Sequence, residues 1–333
     1  MKMQYRFMLF FIVISAITPI IANAHVKWFT EVAPVKASIE NILSPLFLTI
    51  SLLAAIILAI LPQVLPYVMN LEFSKLLNEK LSNLRRYSRY FLKYGTALAL
   101  IIQVTNGTVF APEFLIQETF VLIFVWVAIA LLLIPHHFFT KIGAVVLLGL
   151  FIHMTIRIGI FHMLDYGFYV AIIGVLLVGH TKYESIGFPF LYLGTGLSLC
   201  WVAVEKWVYP SMSLDIVMNH GVPTFGFEPE IFIVLAAFVE FIVGYLLVVG
   251  ILNRLLALVV TIIFVLTTML FGITEIIGHF MIHVILIIFI IEGVSFYNPP
   301  FKMHKTKLDQ MIFVFLNFIF VLSTFVLIYY RFA

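Results

Sequence analysis

The chain has 333 residues, 63% of them hydrophobic and only 11% charged, with a net charge of +3. Soluble domains carry roughly a quarter charged residues, so this composition excludes an ordinary soluble protein and predicts an all-α integral membrane protein. The lone cysteine, Cys200, rules out an intramolecular disulfide and paired-cysteine chemistry, and neither a phosphate-cradling glycine loop nor a basic nucleic-acid patch is present.

Lys2 and Arg6 precede an apolar run from Phe7 to Ile21, followed by Ala22-Asn23-Ala24. That order is a secretory signal with a small-residue cleavage site, expected over residues 1–24. Cleavage would leave His25 first in a periplasmic segment, 25–42, where an α-amine and an imidazole together can chelate one metal ion. Trp28 and Phe29 are expected at the membrane interface. About 20 apolar residues cross a bilayer, and the pattern predicts about ten spans: 43–67, 92–110, 118–135, 142–158, 162–179, 188–208, 230–250, 254–272, 276–293 and 310–330. Residues 68–91, with Lys75, Lys80, Arg85, Arg86 and Arg89, read as a cytoplasmic basic amphipathic segment. The loops on that side hold most of the remaining Lys and Arg, so the positive-inside rule orients the chain with its mature N-terminus in the periplasm of a bacterial inner membrane.

"YGTALALIIQVTNGTVFAP" from Tyr94 is similar to "LGTGLSLCWVAVEKWVYP" from Leu193, and "ALLLIPHHFFTKIGAVVLL" to "YLLVVGILNRLLALVVTII". These matches predict two parallel four-helix repeats, 92–180 and 188–295, with 43–67 and 310–330 as one extra span at each end. The second copy, with Glu205-Lys206, Pro210, "VEFIVGYLLVVGILNRLLAL" and a following helix carrying His279, resembles the DoxX-like membrane proteins. Glu240, Gly250 and Arg254 stand at positions that family favours. Ala203 and Val204 replace the glycine usual before the lysine. The resemblance implies a four-helix membrane fold, and the family includes a subunit of a thiosulfate:quinone oxidoreductase.

An ionisable group inside a bilayer is costly and reads as functional by default. Glu240 lies near the centre of its span and calls for a cation such as Lys206 or Arg157. Glu275, His279 and His283 recur at i, i+4, i+8 and share one helical face, while the first repeat carries His153, Arg157, His162 and Asp165. The expected site has Glu240, Glu275, His279, His283, Arg157 and Asp165 as catalytic groups, with His162 and Lys206 holding a cofactor. Three readings stay open. Imidazoles and carboxylates can hydrogen-bond a quinone and pass its protons, because His titrates near neutrality. They can bind copper or another transition metal, with His25, His279 and His283 as ligands. They can also serve only to pack helices in a non-catalytic scaffold. The expected partners are the lipid membrane and a periplasmic protein or redox partner, and the loop from Trp207 to Glu230 is expected to act as a lid.

Overall fold

A computed structural model describes residues 28–30, 32–251, 253–293 and 306–333. The expected signal peptide and His25 lie outside the described residues. A short helix α1 (Ile39–Ile42) leads into α2 (Pro45–Met69), followed by the amphipathic α3 (Glu72–Ser82) and α4 (Ser88–Thr105). A two-stranded hairpin, β1 (Thr108–Val109) and β2 (Ala111–Leu115), precedes α5 (Thr119–Leu133), α6 (His137–Ile158) and α7 (Ile160–Met163). A 3₁₀ turn, Leu164–Tyr166, joins α7 to α8 (Gly167–Val178). The chain continues through α9 (Gly187–Val208), α10 (Pro210–Asn219), α11 (Pro229–Val249), α12 (Asn253–Phe271), α13 (Ile273–Glu292) and α14 (Lys307–Phe332).

The protein is an all-α integral membrane protein in architecture, with 8 helical stretches long and apolar enough to cross a membrane among the described residues. Two of the ten expected spans fall short of that standard. Helix α4 carries Arg89 and Lys93 in its first turns, and α5 has only 15 residues, about 22 Å at 1.5 Å per residue. Beside them lies the hairpin, whose first strand falls at the end of the expected span 92–110 and whose second falls in the connection after it. Its backbone is non-helical, which membrane depth tolerates only where protein covers it. Val109, Phe110, Ala111 and Phe114 are accordingly buried, and the Tyr169 hydroxyl donates to the Phe110 carbonyl at 2.9 Å.

Helix α4 packs on α5 and α13, α6 on α5 and α8, α9 on α8 and α11, and α12 on α13. The last helix of each expected four-helix unit therefore meets the first helix of the other. Helices α2 and α14 pack on each other and against α11 and α9. At one end of the bundle, cations cap helix C-termini, where carbonyls lack partners. Lys93 Nζ donates to the Ile134 carbonyl at 2.6 Å, Arg254 Nε to that of Ile290 at 2.7 Å, and Arg89 pairs with Glu184 at 3.0 Å. At the other end the N-terminal segment from Trp28 lies as a strap. Ala37 N–H donates to the Val208 carbonyl at 2.9 Å and Thr30 Oγ1 to Asp215 at 2.6 Å.

Helices α9 and α11 come closest at two glycines. A methyl group at Gly196 would lie 2.5 Å from the Gly244 carbonyl oxygen, and one at Gly244 2.6 Å from that of Gly196. Small residues of this kind let membrane helices touch backbone to backbone. Towards the strap end the two helices part around a cavity.

Candidate functional site

The cavity is about 170 Å³ and is enclosed by the Leu164–Tyr166 turn, α8, α9, α11, α12 and α13. Its polar wall includes Asp165, Lys206, Glu240, Glu275 and His279, five of the residues expected at the site. Phe168, Leu199, Val202, Phe264 and Ile282 make its walls apolar elsewhere.

Two pairs organise the polar wall. Lys206 Nζ, near the strap end of α9, bonds Glu240 Oε2 from the middle of α11, and the two side chains are 23% and 19% exposed. The cation that Glu240 requires is therefore Lys206, not Arg157. A charged pair this far from water holds because each partner offsets the desolvation of the other, and removing one leaves a stranded charge. The second pair lies within α13, where the i, i+4 spacing brings Glu275 Oε1 to 3.1 Å from His279 Nδ1. Glu275 Oε1 also accepts from Thr267 Oγ1 of α12 at 2.7 Å. The His279 ring rests on Phe264, centroids 4.8 Å apart and nearly parallel. Asp165, only 2% exposed, enters the cavity from the 3₁₀ turn.

The remaining expected residues stand elsewhere. His283 is one helical turn beyond His279, with its ring 6.1 Å from Phe264, and does not line the cavity. Arg157 is directed away, donating to Glu118 Oε2 at 2.9 Å and Gln117 Oε1 at 2.8 Å, and His153 lies 3.5 Å from the same Glu118 oxygen. The opposed Arg157 face read from spacing is not formed, because Glu118 just before α5 captures the guanidinium first. His162 is buried against the hairpin, its Nε2 3.1 Å from Glu113 Oε1. Among the described residues no group of three His, Cys, Asp or Glu is arranged to hold a metal ion.

Two participants escaped the sequence reading. Glu113 sits on β2, in the connection between two expected spans, and it accepts from the Tyr166 hydroxyl as well as meeting His162. Trp28 packs inward onto α13. It lies against Gly278, where a methyl group would overlap its indole ring, and its ring centroid is 5.0 Å from that of His279. Part of the expected lid is helical, α10 packing against α11 and anchoring the strap through Asp215.

The decisive likeness concerns the middle of this site. The DoxX family model matches residues 193–273. That stretch, from the body of α9 through α12, is similar to the DoxX membrane proteins. The DoxX-like stretch supplies Lys206, Glu240, Phe264 and Thr267 to the cavity, while Glu275 and His279 follow just after it and Asp165 precedes it. No curated protein and no solved structure matches the chain.

Proposed function

We propose that the cavity is a quinone headgroup site in a redox-associated component of a bacterial inner membrane, with the strap end facing the periplasm. The observation that carries the reading is the convergence of a Lys–Glu pair and a His–Glu pair on one apolar-walled space inside a DoxX-like bundle. A quinone presents two carbonyl oxygens across a flat ring. Lys206 and, in its protonated form, His279 are donors on separate helices suited to those oxygens, Phe168 and Phe264 suit the ring, and Glu275, Asp165 and Glu240 can exchange protons.

The volume favours a headgroup over a whole molecule, since pockets for drug-sized ligands run to about 300–1,000 Å³. The isoprenoid tail would leave between α11 and α12, both of which line the cavity and present Val239, Ile262 and Leu266 outward. The orientation rests on Arg85, Arg86, Arg89 and Arg254 gathered at the far end, as the positive-inside rule requires of a cytoplasmic face. A soluble redox protein on the periplasmic side would be the electron partner.

The test is a titration of the detergent-purified protein with a short-chain ubiquinone, followed by tryptophan fluorescence. Saturable quenching that weakens at least tenfold in the Lys206→Met/Glu240→Gln double variant supports the site. Quenching that never saturates, or that is unchanged in the double variant, removes it.

A further inference from the structure

His279 is held by the strap as well as by its own helix. The strap crosses the mouth of the bundle through contacts with four helices. Ala37 N–H bonds the end of α9, Thr30 bonds Asp215 of α10, and Phe29 stacks on Phe271 of α12 with ring centroids 4.4 Å apart. His220 Nε2–H donates to the Phe29 carbonyl at 2.8 Å. These ties leave Trp28 seated on α13, at the one place where Gly278 presents bare backbone.

From that seat Trp28 touches the imidazole, 5.0 Å between centroids at 50°, while Phe264 stacks on the same imidazole at 4.8 Å and 21°. With Glu275 at Nδ1, three contacts then fix the ring plane and its rotation. A carboxylate at Nδ1 makes that nitrogen the donor and Nε2 the acceptor of the neutral ring. A histidine lining a cavity on a helix free to rotate its side chain would not need this much bracing.

We infer that Trp28 is a positioning residue of the cavity: the strap delivers its indole to hold the His279 imidazole in the orientation that meets a ligand. The inference rests on the quinone reading only for the ligand, because the contact itself is testable without one. Tyr166, Asp165, Lys206, Glu240, Glu275 and His283 are the other polar or titratable groups near this contact, and the Tyr166 hydroxyl bonds Trp28.

The test has two readouts. Protonated imidazole quenches a neighbouring indole, so the fluorescence of the purified protein, which has four tryptophans, should fall in a step when the pH is lowered far enough to protonate His279. The step should vanish in Trp28→Phe and in His279→Gln. It should also vanish in Gly278→Ala, where both rings remain but the added methyl group pushes the indole off its seat. It should persist in His220→Gln. A step that survives Trp28→Phe or Gly278→Ala overturns the inference.

The second readout is ubiquinone affinity. Trp28→Ala should weaken it about tenfold, the limit of what one aromatic contact supports, and Trp28→Phe should recover most of the loss. Equal affinity in wild type and Trp28→Ala overturns the positioning role even if the rings touch. Should the wild type bind no quinone, the ligand reading fails alone, and the pH step still decides the contact.

Discussion

The two halves of the bundle contain the same chemical unit in different surroundings. In each, one carboxylate oxygen sits 3.1 Å from a histidine nitrogen and accepts a further bond from a hydroxyl: Glu113 from Tyr166, and Glu275 from Thr267. The first unit is packed shut. Phe114 lies 5.7 Å from the His162 ring and 4.9 Å from the Tyr166 ring, both rings are buried, and His162 does not line the cavity. The second faces the cavity, which Thr267, Glu275 and His279 all line, and its hydroxyl comes from a threonine where the first has a bulkier phenol. A histidine–carboxylate pair becomes a candidate site through the volume left beside it. The pair alone does not confer one. Trp28 stands between the two units, touching His279 and reaching the Tyr166 hydroxyl.

The largest effect expected from breaking this asymmetry concerns the cavity's ion pair. Glu240→Ala strands Lys206 and should cost about 3–5 kcal/mol of stability, read as a lower unfolding midpoint in detergent. Glu240→Gln keeps the volume and should cost less, and Lys206→Met/Glu240→Met should recover most of the loss. If Glu240→Ala and Glu240→Gln are equally stable, the pair does not hold the helices together.

A smaller effect is expected at the closed unit. Tyr166→Phe removes a donor to a buried carboxylate and should cost about 1–3 kcal/mol, with quinone affinity changed less than by Thr267→Val. Thr267→Val, the matching change in the open unit, should shift affinity severalfold with a lesser loss of stability. Identical profiles for the two variants would erase the distinction between closed and open units. Smallest of all is Arg157→Gln. Its ion pair with Glu118 is about one-third exposed, so stability should change by no more than about 1 kcal/mol and ligand binding not at all. A loss of binding would return Arg157 to the site.

Much of this was legible in the sequence, because a membrane span is recorded in composition and length. The long apolar runs at 45–67, 229–249 and 273–292 stand close to where hydropathy puts them. The i, i+4 pairing of Glu275 with His279 follows from helical geometry alone, and the need of Glu240 for a cation follows from the cost of burying charge. The hairpin was hidden because "NGTVFAPEF" straddles the end of an expected span and the connection after it, and its pairing depends on burial against Tyr169 and Phe151. Glu113 was lost with it. Arg157 was misplaced because spacing shows which groups share a face but not which neighbour reaches them first. Trp28 was out of reach altogether, since an aromatic beside a membrane is ordinarily an interfacial anchor. Only the bare backbone at Gly278, 250 residues further along the chain, gives it another seat.

The contact between Gly196 and Gly244 divides the space along α9 and α11. On its strap side the two helices border the cavity with Lys206 and Glu240. On its other side they border an apolar groove of about 400 Å³ lined by Phe190, Leu193, Leu247 and Val248. A methyl group added at either glycine would meet backbone of the other helix, so a single small substitution there reaches a polar space and an apolar one at once.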